Sequence, residues 1–80
     1  MIFPKKEIVD GIRERYSRGT RVVLDQMNDS YRDMPTGMEG TVDHVDDTGT
    51  IFVNWDNGSH LGVVYGEDYC HRKEDERGGM

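Results

Sequence analysis

His44, His60, His71 and Cys70 are the residues of this chain best equipped for chemistry. A thiol and an imidazole within hydrogen-bond reach make a nucleophile and its base. Cys70 and His71 are sequence neighbours, however, and neighbours on a strand point to opposite faces. The serines, Ser17, Ser30 and Ser59, fall in turn or helix-end contexts. Without a nucleophile–base motif, no enzymatic activity is expected. As metal ligands the same four residues are more interesting, because a structural zinc takes four such groups. His60 follows an Asn57-Gly58 turn, and a last strand could return Cys70 or His71 near it. Against this, C-x-x-C spacing is absent, and two adjacent ligands sit awkwardly on one strand. The alternative, three surface histidines and a buried small thiol, is preferred. No cofactor is therefore expected, and zinc at His44, His60, Cys70 and His71 is the site to test. Asp43, Asp46, Asp47, Asp56 and Asp68 do not follow calcium-loop spacing, and turn chemistry accounts for the aspartates that precede glycines.

The acids matter more through their distribution. The chain carries a net charge of −6, but residues 1–21 hold six bases and three acids. Residues 22–70 hold ten acids and the single base Arg32, a net of −9. Such a body repels nucleic-acid backbones, whose binding depends on Lys and Arg neutralising phosphates. It suits a basic protein surface, including one that otherwise holds nucleic acid. The contact residues expected on this ground are Asp29, Tyr31, Asp33, Asp43, Asp46, Asp47 and Asp56. Trp55, Tyr31, Tyr65 and Tyr69 could also line an aromatic peptide groove, although Trp55 alternates with Ile51 and Val53 and reads equally well as core.

The elements that must position these residues are short. Eighty residues allow one domain with a thin core. Hydrophobic residues make up 34% of the chain, but they cluster in runs, as in Ile51–Trp55, which argues for strands rather than disorder. Ile8, Val9, Ile12 and Tyr16 recur at helical spacing, with Pro4 suited to the first turn and Gly19 to the stop. This stripe is expected to pack on the sheet, the alternative being a partner-docking or dimerising helix. Five strands follow: 20–24, 40–45, 50–55, 60–64 and 69–72. The loop over 25–39 is long and polar, Asp46–Gly49 reads as a hairpin loop, and Asn57-Gly58 predicts a type I′ turn. The expected organisation is a helix over 1–18, a barrel over 19–72 and a charged, frayed tail over 73–80. Closing the sheet on itself would protect its edges. The fold class is thus mainly β, a small SH3-like five-stranded barrel with an N-terminal α-helix. One cysteine excludes an internal disulfide, no stretch is long enough for a signal peptide or a membrane span, and a bacterial cytoplasm is the expected location.

Several motifs together carry a resemblance. Gly19-Thr20-Arg21-Val22 with Leu24, Met27-Asn28-Asp29, Pro35-Thr36-Gly37, Gly40-Thr41-Val42, Val45–Ile51 and Trp55–Ser59 with Leu61 resemble the family called domain of unknown function 4314. The likeness covers roughly residues 18–71 and implies an SH3-like barrel from phages, plasmids or conjugative elements of gut-type Firmicutes. It brings no catalytic residues. The helix and the Cys70-His71 pair lie at or beyond the matched motifs, where an individual function could have been added.

The expected function is that of a non-enzymatic, acidic protein-binding module of a mobile element. It would inhibit a host nucleic-acid-handling defence protein, such as a CRISPR effector or another nuclease, by occlusion. The alternatives are an accessory module of phage or plasmid replication or transfer machinery, and a weak nucleic-acid-binding domain working through Arg13, Arg15, Arg18 and Arg21. No membrane partner is expected.

Overall fold

The computed structural model describes residues 4–28 and 34–79; Asp29, Tyr31 and Asp33 lie outside the described residues. Helix α1 spans Lys6–Arg15. Its polar face is tied by Lys6 and Asp10 at i, i+4, 2.9 Å apart. The helix ends before Gly19, because Tyr16 leaves helical geometry at φ −114°, ψ 58°. The chain then turns and hooks onto the sheet, Gly19 N–H donating to the Val42 carbonyl at 2.9 Å. Val9 is buried, and Ile12 and Tyr16 pack against the core, so the apolar stripe does cover the sheet.

The strands are β1 (Arg21–Gln26), β2 (Glu39–Val45), β3 (Ile51–Trp55), β4 (Gly62–Val63) and β5 (Tyr69–Arg72). They form one antiparallel sheet in the order β4-β3-β2-β1-β5. Period-two alternation puts Ile51, Val53 and Trp55 inward and leaves Asn54 exposed. With Val22, Leu24, Val42, Val45 and Val63 they make the core. Trp55 is 3% exposed, so it is core and not groove.

Three features differ from the sequence reading. The expected barrel closure by strand pairing is absent among the described residues: β4 and β5 end the order, and no ladder joins them. The reason lies partly in β4, which is two residues long instead of five. The Trp55 indole N–H takes the Leu61 carbonyl at 2.8 Å, which diverts the chain before Gly62 from the β3 ladder. Second, the 57–58 turn is not type I′, since no described non-glycine residue has positive φ and Asn57 would need it. Gly58 alone is left-handed, at φ 90°; its N–H bonds the Trp55 carbonyl, and Trp55 N–H bonds Ser59. That is a three-residue loop with a glycine bulge. The 46–50 turn repeats the pattern, with Gly49 at φ 83°. Third, the segment expected to fray is a 3-10 helix, η1 (Lys73–Gly79). Lys73 Nζ donates to Glu39 at 2.9 Å and Arg15 to Asp75 at 3.1 Å, so opposite charges on α1 and β2 hold it back against the body.

Candidate docking cleft

Asp43, Asp46, Asp47 and Asp56, the expected acidic contacts within the described residues, prove to have internal partners. Asp46 caps its own hairpin: Oδ1 accepts from Thr48 N–H at 2.9 Å, Thr48 Oγ1 at 2.7 Å and Thr50 N–H at 3.1 Å. Burial works to raise its pKa, but these donors together hold the carboxyl below its usual value. Asp56 accepts both Nη groups of Arg21, at 2.9 and 2.7 Å, and that guanidinium holds its carboxyl low. Asp43 lies 2.6 Å from His44 Nδ1, whose hydrogen bond lowers its pKa in the same way. Asp47 meets Arg13 at 3.2 Å yet keeps its side chain fully in solvent. Of the expected contacts within the described residues, Asp47 is thus the one most open to a partner.

Arg13, Arg21 and Arg72 are occupied in the same way. Arg13 also donates Nε to the Val45 carbonyl, stitching α1 to the end of β2. Arg21 reaches Glu39 as well as Asp56, and Arg72 holds Asp75 and Glu74. The positive segment is therefore folded back onto the negative body.

The four candidate zinc ligands separate. His44 stacks on Phe52, with ring centroids 4.7 Å apart, and His60 lies 2.9 Å from Asn54; Phe52 and Asn54 share the outer face of β3. Cys70 packs against the core, on the inner side, while His71 lies between Asp25 and Glu76. Burial first, and the Asp25 charge second, push the Cys70 thiol up to about 12. Among the described residues no three His, Cys, Asp or Glu groups come together as a metal site. Cys70 and His71 likewise serve different partners and form no nucleophile–base pair.

The gap between β4 and β5 is where the structure is open. A cleft of about 340 Å³ lies there, walled by Ile12 of α1 and by Tyr16 just past its end, floored by Ile51 and Val63, and rimmed by Tyr65 and Tyr69. Asp68 builds the rim. It is 7% exposed, and its carboxylate accepts from Val64 N–H at 2.9 Å and Asn28 N–H at 2.7 Å. Those bonds fix the 64–68 turn that holds Tyr65 outward, while Tyr69 donates to the Gly66 carbonyl at 3.4 Å. Tyr16 donates across to the Cys70 carbonyl, also at 3.4 Å, and burial raises its pKa. The large hydrophobic side chains left exposed among the described residues are Tyr65 at 48%, Tyr69 at 52% and Ile8 at 41%, one helical turn before Ile12. Sequence reasoning placed Tyr65 and Tyr69 in a groove but built it around Trp55. It missed Tyr16 and Ile12, for which the helical apolar stripe was the available signal.

A family model for a domain of unknown function, DUF4314, matches residues 5–73. The chain belongs to that family. For DUF4314 the match runs from the start of α1 through β5 to the first residue of η1, further than the motifs alone indicated. The helix and the Cys70-His71 pair are thus inside the family region and are not additions to it. Among curated proteins nothing matches the chain. No helix among the described residues is long and apolar enough to cross a membrane.

Proposed function

We propose that this protein is a non-catalytic binding module that occludes a basic surface of a nucleic-acid-handling protein, a host defence nuclease such as a CRISPR effector being the target. The observation that carries the reading is the fate of the charges. Arg13, Arg15, Arg21, Arg72 and Lys73 each have an acid of the same chain as partner: Asp47, Asp75, Asp56, Glu74 and Glu39 in turn. Each pair removes one charge of either sign, so the excess of −6 remains with the acids. A negative surface of this kind steers association with a positive one and repels phosphates. Internal pairing of Arg13, Arg15 and Arg21 also weakens the case for direct nucleic-acid binding. The motifs' likeness to mobile-element proteins supports action inside a bacterial host cytoplasm.

The test is target cleavage by purified, guide-loaded CRISPR effectors and other host nucleases at saturating protein. Inhibition that fades with added salt, and that Asp47→Lys weakens, supports the reading. Undiminished cleavage across the panel overturns it. A tight complex with a replication or transfer protein, without any effect on nucleases, would instead favour an accessory role.

A further inference from the structure

The acidic surface explains attraction but not a fixed mode of attachment. Long-range charge sets encounter rate and excludes wrong partners, whereas buried apolar anchors supply most of the holding energy at interfaces. The cleft at the open side of the sheet has the shape and composition for such an anchor. Its floor is aliphatic, its rim is two half-exposed tyrosines, and Ile8 extends its apolar surface along α1. Small soluble domains leave few such side chains in water, and gathering them around one concavity marks a contact site.

We infer that this cleft receives a short segment of a partner protein, an aliphatic side chain flanked by Lys or Arg. This deepens the proposed function and rests on it for the sign of the partner's charge. The anchor must be apolar, because Asp68, the acid among the lining residues, has both oxygens committed to Val64 and Asn28 and cannot serve an incoming donor at full strength. The flanks must be basic. Glu67 stands exposed next to Gly66 on the rim turn and makes no ion pair among the described residues, while the nearby helix arginines Arg13 and Arg15 are engaged by Asp47 and Asp75. A second copy of this chain fits poorly. It would bring the same −6 charge and the same exposed Glu67 to the rim, so like charges would face each other.

Tyr65 and Tyr69 act as the jaws. Rigid aromatic rings with few rotamers lose little entropy on contact and offer a hydroxyl to the segment's backbone. Their position is set before binding by the Asp68-held turn, which lowers the cost of docking.

The test uses three synthetic decapeptides: a central Leu flanked by Arg, the same with Ser replacing Leu, and the same with Glu replacing Arg. Each is titrated into the isotope-labelled full chain, with affinity read by calorimetry and location by amide shifts. The expected result is binding of the Arg-flanked Leu peptide, with shifts at Ile12, Gly49, Val63 and residues 65–70. The Ser and Glu peptides should bind at least about tenfold more weakly, one anchor or charge pair being worth a unit of log affinity. Tyr65→Ala with Tyr69→Ala should cost at least about tenfold, and Glu67→Lys should invert the preference between Arg and Glu flanks. Because that double variant replaces half-exposed side chains, an unchanged amide spectrum elsewhere certifies its fold; Tyr69→Phe serves if it does not. Equal affinity of Leu and Ser peptides, shifts confined to another face, or no binding at millimolar peptide overturns the inference. So do shifts at the same residues caused by raising the protein concentration alone, which would mean self-association, or by an oligonucleotide. The two readings fail separately. Peptide binding without nuclease inhibition refutes the target, whereas inhibition that survives Tyr65→Ala/Tyr69→Ala refutes the cleft.

Discussion

Two sides of this small sheet solve the problem of exposed surface in opposite ways. On the side of η1, β1 and β2, charge meets charge: Arg21 with Asp56 and Glu39, Lys73 with Glu39, Arg72 with Asp75, and His71 between Asp25 and Glu76. On the side where β4 and β5 fail to meet, aromatic and aliphatic groups stand around a cleft that the described residues leave open. The first side is satisfied internally. The second is built and then left open, which is costly for a domain with so thin a core unless something occupies it.

Substitutions on each side sharpen this contrast. The largest effect is expected from Asp68→Ala, which removes the acceptor of the part-buried N–H groups of Val64 and Asn28 and should cost about 2 kcal/mol of unfolding free energy. Urea denaturation checks it; a loss under about 1 kcal/mol would mean that the rim turn is held by something else. His71 comes next. Hydrogen bonds to Asp25, then Glu76, raise its pKa above the usual 6.5, so the folded state binds the proton more tightly than the unfolded one. Its contribution is full below pH about 6.5 and disappears as pH rises through the folded pKa. The urea midpoint should fall from pH 6 to pH 8 in the native chain, and His71→Gln should flatten that part of the slope. A slope that persists in His71→Gln places the titration elsewhere.

Smaller still is Asp56→Asn. Its bidentate pair with Arg21 is solvent-exposed, and Glu39 remains to hold the guanidinium. Exposed pairs contribute little, so the midpoint should shift less than for Asp68→Ala, and less again at high salt. Smallest should be Tyr65→Ala with Tyr69→Ala, whose thermal midpoint should stay close to the parent's despite the loss of two aromatic rings. A collapse of stability there would show that the tyrosines serve the fold rather than a contact, and the contrast between the two sides would fail.

How much of this was legible depends on how local each signal is. The strand 51–55 announced itself by alternation, and Gly49 and Gly58 marked their turns because left-handed backbone is a local demand. The type of the 57–58 turn was misread, since Asn-Gly also suits a three-residue loop in which only the glycine is left-handed. The short β4 was misread because the bond from Trp55 to Leu61 is a side-chain contact that no pattern displays. The internal pairing on the charged side was not legible, because its partners are distant in sequence. Arg21 and Asp56 are 35 residues apart, and composition counts them without pairing them. The cleft was half legible: Tyr65 and Tyr69 were visible as candidates, but their companions Ile12 and Tyr16 belong to another element. Which edges of a sheet remain unpaired is a property of the whole topology.

The central claim is that the cleft, not the charged face, holds the partner. Competition tests it most directly: a nuclease bound and inhibited by this protein is challenged with excess Arg-flanked Leu decapeptide. The account predicts that the nuclease is released and cleavage returns as the peptide saturates the cleft. Undiminished binding and inhibition at saturating peptide would contradict it.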